Sequence, residues 1–192
     1  MELSSPGERQ QKQQFIEAIV VKVQEGDDEA FAILIHHFEK QMYSYCYYLL
    51  TNREEAEDAL QEIFLQAYRN LNQYIQNTNF SAWLYKIAYN HSMNVLKKRK
   101  RWYRLLLRSR EIAPNPVPIN HAAIIENMLE LLTVEERHIL LLRAVEQYSF
   151  TDIADIMSSN PAAIRKKYER LRTKLRNNDK EVFANGEMVQ PN

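Results

Sequence analysis

Two amphipathic helical patterns follow one another directly between residues 52 and 101, and they limit the possible folds more than any other stretch. The first opens with acidic residues, whereas the second contains aromatic residues and ends in five consecutive basic residues, Lys97–Arg101. Apolar residues at helical spacing predict that each helix buries one face. The change from acidic to basic charge predicts one surface for a protein partner and another for nucleic acid.

Signals for β-strands are scarce in the rest of the chain. The 192 residues include only 3 glycines, and no stretch sustains an alternation of apolar and polar residues. The proportions of hydrophobic and charged residues are typical of a soluble globular protein. We therefore predict an all-α fold, with enough chain for one domain or two small ones.

The formal net charge of zero hides two basic segments. Residues 97–110 include eight basic residues and no acidic one, and residues 165–176 include seven basic residues and one acidic residue, Glu169. Acidic residues cluster at positions 54–62 and 126–136. Such segregation creates local fields that attract phosphate without a high overall isoelectric point.

The cysteine content and the hydropathy indicate the compartment. A single cysteine, Cys46, excludes an internal disulfide and a cysteine-rich zinc site. Residues 1–14 lack the apolar centre of a signal peptide and are predicted to form a frayed tail. No run of about 18 apolar residues is present to span a membrane. We expect a cytoplasmic protein with no membrane insertion.

Two packing helices are predicted before residue 52, on either side of a turn at Gly26. The helix that follows is capped by Thr51 or Asn52. Its apolar stripe consists of Ala56, Leu60, Ile63, Ala67 and Leu71. The opposite side carries Asp58, Gln61, Glu62 and Gln66. Taken alone, these polar residues favour a solvated helix face over a binding surface.

Turn-forming amides occupy the segment 72–79, with Tyr74 and Ile75 in its middle. Amides beside an aromatic ring suit unpaired bases, because amides pair with base edges and rings stack on base faces. Taken alone, the segment is better interpreted as a plain helix connection. A fourth helix is predicted over residues 80–101. Its basic end has more cations than helix capping needs, which favours phosphate binding over a solvated helix end.

A proline-containing linker divides the chain. Pro114, Pro116 and Pro118 exclude a continuous helix, so a linker is predicted over residues 102–123. The domains predicted on either side span residues 15–101 and 124–178. The second domain begins with a short helix at residues 124–132.

Caps mark the later helices of the second domain. The predicted pairs are Thr133 with Glu136, Ser149 with Asp152, and Asn160 with Pro161. A tight turn joins the last two helices, which is typical of a helix-turn-helix unit. The final helix has an apolar face formed by Ile164, Tyr168, Leu171 and Leu175.

The other faces of the final helix carry small and basic residues. Ala162 and Ala163 at its start allow the backbone to approach the major groove of DNA. Arg165, Lys166 and Arg170 can reach bases or phosphates, and Glu169 can accept from a cytosine amine. A solvated C-terminal helix is the alternative, but the preceding turn and caps favour DNA binding.

These segments resemble the sigma-70 family, in particular sigma factors of the extracytoplasmic-function (ECF) group. The sequences GDDEAF (26–31), AEDALQEIFLQAY (56–68) and FSAWLYKIAYN (80–90) resemble successive parts of sigma region two. The sequence LTVEERHILLLR (132–143) and the helix-turn-helix after it resemble region four. Both blocks in this order form a specific signal. The base-reading positions of the last helix depart from the usual family pattern, although the core position Ile164 agrees.

The resemblance implies a protein partner and two DNA elements. Region two docks on the beta-prime clamp helices of core RNA polymerase, and the matching positions are Asp58, Gln61, Glu62 and Gln66. Region two also captures the melted minus-ten strand, which implies contacts by Tyr74, Asn77, Asn79, Ser81, Lys86, Tyr89, Asn90, Lys97 and Arg99. Region four binds the minus-thirty-five element, which implies Ala162, Ala163, Arg165, Lys166, Glu169, Arg170 and Lys174. The beta flap of the polymerase and an anti-sigma factor are further partners that the resemblance implies.

We therefore predict a promoter-specificity subunit that recruits core polymerase to promoter DNA and assists melting. The alternative is a helix-turn-helix regulator that binds duplex DNA without acting as a polymerase subunit. An enzyme is not expected, because the sequence has no His-Glu-x-x-His motif, no Gly-rich phosphate loop and no triad-like grouping. No catalytic residue, metal ligand or cofactor is predicted.

Overall fold

The computed structural model of the protein describes residues 6–75, 79–109 and 131–186. Within these ranges the secondary structure is helical and includes no strand, so the prediction of an all-α fold is confirmed. The chain divides into two compact units, Met1–Pro114 and Asn115–Asn192. The prolines of the predicted linker and most of the short helix predicted at residues 124–132 lie outside the described residues.

The first unit begins with helix α1, Pro6–Gln24, which starts well before the predicted start at Phe15. The prediction of a frayed tail is therefore wrong from Pro6 onward. Residues 6–14 lack an apolar stripe, but proline is tolerated in a first turn. The glutamate, arginine, glutamine and lysine residues that follow have high helix propensity.

Helix α2 spans Asp28–Leu50 and has a defined stop at each end. Gly26 has a φ of +102°, a left-handed conformation that costs glycine little, and it separates α2 from α1 as predicted. The carboxylate of Asp27 accepts a hydrogen bond from the first turn of α2. Thr51 closes the helix in a left-handed conformation with a φ of 53°.

Helix α3, Arg53–Asn70, begins at one of the two predicted caps. The side chain of Asn52 accepts a hydrogen bond from the Glu55 backbone N–H at 2.9 Å. A short 3₁₀ turn, Leu71–Gln73, follows and extends the helical path into the segment predicted as a loop.

Helix α4, Phe80–Ser109, is longer than predicted. It continues past Arg101 through residues that were expected to begin the linker. The segment Trp102–Ser109 contains neither glycine nor proline, so nothing in it stops the helix. The linker prediction is therefore wrong for residues 102–109.

The core of the first unit lies among α1 to α4, with α2 packed against each of the other three helices. The rings of Tyr45 and Tyr85 meet edge to face with centroids 5.0 Å apart. Cys46 is fully buried in this core, and burial raises the pKa of its thiol to about 12. The fully buried side chains of this core include Leu34, Met42, Leu49, Leu50, Ile63, Phe80, Leu84 and Tyr85.

The second unit contains helix α5, Val134–Leu140, which passes directly into a π-helical turn, Leu141–Val145. The predicted capping box is present: Glu136 N–H donates to the Thr133 hydroxyl at 3.2 Å, and Thr133 N–H donates to Glu136 at 2.7 Å. Val145, the last residue of this turn, is 47% exposed. The wider π-helical turn changes the direction of the side chains after Leu142.

Helices α6, Phe150–Ile156, and α7, Pro161–Gly186, form the predicted helix-turn-helix unit. Ser149 and Asp152 form the second predicted capping box. The side chain of Asn160 accepts from Ala162 N–H at 2.8 Å, as predicted for the cap of α7. Ile139, Leu142, Ile153, Ile156, Ile164 and Leu171 form the core of this unit.

Candidate partner-protein and nucleic-acid interfaces

A groove between α3 and α4 contains the residues predicted to bind a partner protein. Its acidic part has a volume of about 400 Å³ and is lined by Glu55, Asp58, Ala59, Gln61, Glu62, Leu65, His91 and Val95. Helix α3 supplies all the carboxylates, because its polar side turns away from the stripe packed on α2. The amphipathic pattern of α3 therefore creates this groove wall.

The groove continues towards the basic end of α4. This basic part has a volume of about 470 Å³ and is lined by Glu62, Gln66, His91, Asn94, Val95, Lys97, Lys98 and Arg101. Glu62 lines both parts and accepts a hydrogen bond from Gln66 Nε2 at 3.0 Å. The four residues predicted to bind the partner thus lie along one groove whose charge changes sign from end to end.

Leu65 and His91 also line this groove, although neither was predicted. Leu65 is 48% exposed beside the acidic side chains and gives the groove an apolar contact area. Its position three residues after Glu62 was a signal that the sequence contained. Burial lowers the pKa of His91, an effect that Glu62 opposes and Lys98 reinforces. His91 comes from another helix, so only the tertiary structure brings it to the groove.

One face of α4 carries residues predicted to contact the minus-ten strand. Lys86, Asn90 and Lys97 are exposed and share a face at about 3.6 residues per turn. The rise of the helix separates Lys86 from Lys97 by roughly 16 Å. Tyr89 is half-buried at the edge of this face, whereas Ser81 is half-buried in the first turn of α4, on another side of the helix. The arrangement offers amides and cations over a length that spans several nucleotides.

Tyr74 was predicted to stack on a base, and the structure contradicts this prediction. Its side chain is only 4% exposed, and its hydroxyl donates to the Glu17 carboxylate at 2.8 Å. The ring packs against Phe80 and Trp83, with centroids 5.6 and 5.3 Å away. Tyr74 is a core residue because its ring fills the space between α1 and α4 while its hydroxyl keeps a charged partner.

Arg99 was also predicted to contact DNA, and the structure shows this side chain, 38% exposed, already paired within the first unit. Its guanidinium donates to the backbone carbonyl of Leu50 at 2.9 Å and pairs with the carboxylate of Glu55. Arg99 thereby connects α4 to the turn between α2 and α3. A planar guanidinium with several donors suits such a double contact.

The segment between the 3₁₀ turn and α4 is described in part. Asn77 lies outside the described residues. Asn79 is exposed, and its side-chain oxygen accepts from Ser81 N–H at 2.9 Å. Ile75 is 70% exposed, directly beside the buried Tyr74. The apolar side chain offered to solvent in this segment is therefore Ile75, which the sequence analysis did not select.

Helix α7 exposes every residue predicted to contact the minus-thirty-five element. Ile164 and Leu171 face the core and turn the opposite side of the helix to solvent. Exposed on that side and its flanks are Ala162, Ala163, Arg165, Lys166, Glu169, Arg170 and Lys174. Ala162 and Ala163 are the small residues in the first turn. The first large side chain after them, Ile164, is buried in the core.

Two ion pairs connect α7 to the start of α5. Lys174 Nζ lies 3.3 Å from a Glu136 carboxylate oxygen, and Lys167 pairs with Glu135. Burial raises the pKa of Glu136, but hydrogen bonds from Thr133 and Lys174 outweigh it and lower the pKa overall. Lys174 is thus paired with a partly buried carboxylate in the free protein, and its DNA contact stays a prediction.

A metal or membrane function finds no support in the described residues. In that part of the chain, no group of three or more His, Cys, Asp or Glu side chains is arranged to hold a metal ion. None of the helices described is both long and apolar enough to cross a membrane.

Two family models match the chain in the order of its two units. Residues 34–102 match the model for Sigma-70 region 2, and residues 122–175 match the model for Sigma-70, region 4. These matches cover the α3–α4 groove and the helix-turn-helix unit.

Curated relatives match the chain over most of its length. It is 28% identical over 173 residues to the ECF RNA polymerase sigma factor SigW of Bacillus subtilis, which covers 82% of this chain and 92% of SigW. It is 28% identical to the ECF RNA polymerase sigma-E factor of Haemophilus influenzae, over 84% of this chain and 93% of that protein. The fold is similar to that of CnrH in complex with the cytosolic domain of CnrY, with a TM-score of 0.67, 20% identity and coverage of 84% and 94%.

Proposed function

The chain belongs to the extracytoplasmic-function group of the sigma-70 family, and on this premise we propose which of its surfaces carry out each step of transcription initiation. It is a sigma factor, which binds core RNA polymerase and directs initiation at specific promoters. The proposed division of labour assigns residues 15–101 to polymerase and the minus-ten element. It assigns residues 124–178 to the minus-thirty-five element, with a linker between them.

The α3–α4 groove is the proposed docking site for the clamp helices of the beta-prime subunit. The convergence of Asp58, Gln61, Glu62 and Gln66 in one groove is the observation that carries this assignment. Leu65 adds an apolar contact within an otherwise charged surface. Carboxylates around a small apolar centre suit a basic helical partner, since charge selects the partner and the desolvated centre stabilises the complex.

The exposed face of α4 is the proposed contact for the melted minus-ten strand. Lys86 and Lys97 supply cations for phosphate, and Asn79 and Asn90 supply amides for base edges. Tyr89 is retained at the edge of this face, and Ser81 and Asn77 are retained by resemblance. The buried Tyr74 and the ion-paired Arg99 are left out of this proposed surface. Ile75 is added as an apolar side chain able to contact an unstacked base. Each captured base is worth about 1–3 kcal/mol, enough to favour the open state.

Helix α7 is the proposed recognition helix for the minus-thirty-five duplex. Arg165 and Arg170 are its principal DNA-contacting cations, and Glu169 lies between them on the exposed side. Arginine forms bidentate hydrogen bonds with guanine, while the alanines at the start of α7 permit close approach. Lys166 and Lys174 add phosphate contacts at the edges of the same surface.

Further partners follow from the same premise. We propose that the beta flap contacts the second unit and that an anti-sigma factor covers polymerase-facing surfaces. CnrH, whose fold is similar, was solved in complex with the cytosolic domain of CnrY. Sigma factors are not enzymes. We propose that this chain performs no covalent chemistry, needs no cofactor and acts in the cytoplasm, where core polymerase meets the chromosome.

Run-off transcription with purified core polymerase tests the proposed function. The chain is expected to co-purify with core polymerase and to direct transcription from selected promoter DNA. A helix-turn-helix regulator is not favoured, because the first unit matches region two of sigma factors. Failure to bind core polymerase, together with retained binding of duplex DNA, would support that regulator instead.

A further inference from the structure

Phe150, the first residue of α6, contacts two arginines and a tyrosine. The Cζ atom of Arg143 lies 4.8 Å from the centroid of its ring, and the Cζ atom of Arg165 lies 5.3 Å away. The ring of Tyr168 approaches with its centroid at 5.6 Å. A guanidinium over an aromatic face is attracted by the negative charge of that face. One ring thus connects the residues before α6 with the recognition helix.

The backbone of Phe150 is held independently of these contacts. The capping box of Ser149 and Asp152 fixes the start of α6, with Ser149 N–H donating to the Asp152 carboxylate at 3.0 Å. Arg143 Nη1 donates to the backbone carbonyl of Tyr148 at 2.8 Å, which holds the first guanidinium in turn. The backbone that carries the ring is therefore held in place, and the Arg165 guanidinium packs against the ring.

Arg165 is exposed in the first turns of α7, where a long side chain would otherwise sample many rotamers. Tyr168 lies three residues further on and contacts the same ring, so this flank of α7 rests on Phe150. Ordering a flexible arginine only when DNA binds costs conformational entropy. A guanidinium that is ordered in the free protein avoids part of that cost.

We propose that Phe150 is a positioning residue for recognition of the minus-thirty-five element, acting by holding the Arg165 guanidinium in the direction that DNA requires. This inference rests on the proposed function of α7. Phe150 precedes the recognition helix in the chain, at the start of α6. Its effect on DNA passes through Arg165, so the two residues must be coupled energetically.

The test is a double-mutant cycle in the full chain assembled with core polymerase. The probe is a duplex selected from a library randomised at the minus-thirty-five element, and a scrambled duplex measures non-specific binding. Phe150→Leu keeps apolar volume and removes the aromatic face. It is expected to weaken specific binding by roughly threefold to tenfold and to lower the ratio of specific to non-specific affinity. In the Arg165→Ala background the same change is expected to have an effect within about twofold.

A second measurement separates the charge of the ring face from its shape. Fluorinated phenylalanine introduced at position 150 keeps the shape of the ring and weakens its negative face. Affinity for the selected duplex is expected to fall with the number of fluorines even if Phe150→Leu does not fold. Affinity that is independent of fluorination, or additive effects of the two substitutions, would overturn the positioning role. If Arg165→Ala alone has no effect, the positioning role is overturned. The proposed function of α7 fails only if Arg165→Ala combined with Arg170→Ala also leaves duplex binding unchanged.

Discussion

Arg99 near the middle of α4 donates a hydrogen bond to the backbone carbonyl of Leu50, the last residue of α2, at 2.9 Å. The same guanidinium pairs with Glu55 in the first turn of α3. One side chain thus closes the end of one helix and holds the start of the next. Arg99, one of the five basic residues 97–101, is therefore engaged in contacts within the first unit.

Arg99→Ala is expected to destabilise the first unit and to leave the salt dependence of DNA binding unchanged. The loss should be about 1 kcal/mol, since the ion pair is partly exposed but the Leu50 carbonyl loses a charged donor. Urea unfolding measures the first effect, and binding titrations at several salt concentrations measure the second. Lys97→Ala is the matched control. It should leave the stability of the first unit unchanged and reduce the salt dependence of DNA binding. A reduced salt slope for Arg99→Ala at unchanged stability would contradict this interpretation.

Tyr74 and Ile75 are adjacent in sequence but should respond in opposite ways to substitution. Tyr74→Phe removes the hydroxyl that donates to Glu17 and should lower the free energy of unfolding by about 1–2 kcal/mol. Ile75→Ala should leave that free energy nearly unchanged and reduce the fraction of open promoter complexes. Permanganate footprinting of unpaired thymines measures the open fraction. An unstable Ile75→Ala variant, or normal stability in Tyr74→Phe, would argue against the burial described above.

Charge reversal at Asp58 and Glu62 should weaken binding to core polymerase by about tenfold or more, because both carboxylates lie in the α3–α4 groove. Fluorescence titration of labelled chain with core polymerase measures the effect. Duplex binding by α7 should be unaffected, because it belongs to the other unit. Glu54→Lys combined with Glu57→Lys is the matched control, because both residues are exposed on α3 outside the groove lining and the change in net charge is the same. Equal losses for both variants would point to net charge rather than to the groove.

Arg165→Ala combined with Arg170→Ala should weaken duplex binding and flatten its salt dependence. Each lost phosphate contact reduces the slope of log affinity against log salt by about 0.9. If one arginine reads a base, the slope should change less while specificity at that base relaxes. Lys40→Ala, an exposed cation on α2, is the control and should leave the slope unchanged. An unchanged slope in the double variant would reject α7 as the DNA-contacting helix.

Acidification should destabilise the second unit through His138, which is fully buried in α5. Burial lowers the pKa of His138 to about 3, from an ordinary value of 6.5. Between these values the unfolded chain binds a proton that the folded chain does not, so stability is present at neutral pH and declines as the pH falls below 6.5. Between pH 7 and pH 5 the loss should be about 2 kcal/mol.

Hydrogen-exchange mass spectrometry of peptides from α5 and α7, corrected for the intrinsic effect of pH on exchange, measures this loss. The variant His138→Gln should show a flatter dependence of stability on pH over the same range. If both proteins lose stability equally between pH 7 and pH 5, another titrating group is responsible.

Much of the helical layout follows from residues close together in the sequence. The caps at Asn52, Thr133, Ser149 and Asn160 form as predicted, because a cap requires only a side chain and a backbone N–H two or three residues away. Helix ends without such signals were less predictable. Both α1 and α4 extend further than expected. Polar residues of good helix propensity continue α1 back towards Pro6, whereas α4 meets no glycine or proline before Ser109.

The sequence by itself determined the helical class, the caps and the division of charge between α3, α4 and α7, because these depend on local spacing and composition. Only the tertiary structure decided which polar and aromatic side chains remain available to a partner. The Tyr74 hydroxyl donates to the carboxylate of Glu17, 57 positions earlier in the chain. The Arg99 guanidinium pairs with the carboxylate of Glu55, 44 positions earlier. Periodicity assigns a residue to a face of its own helix, whereas long-range packing decides whether another element covers that face.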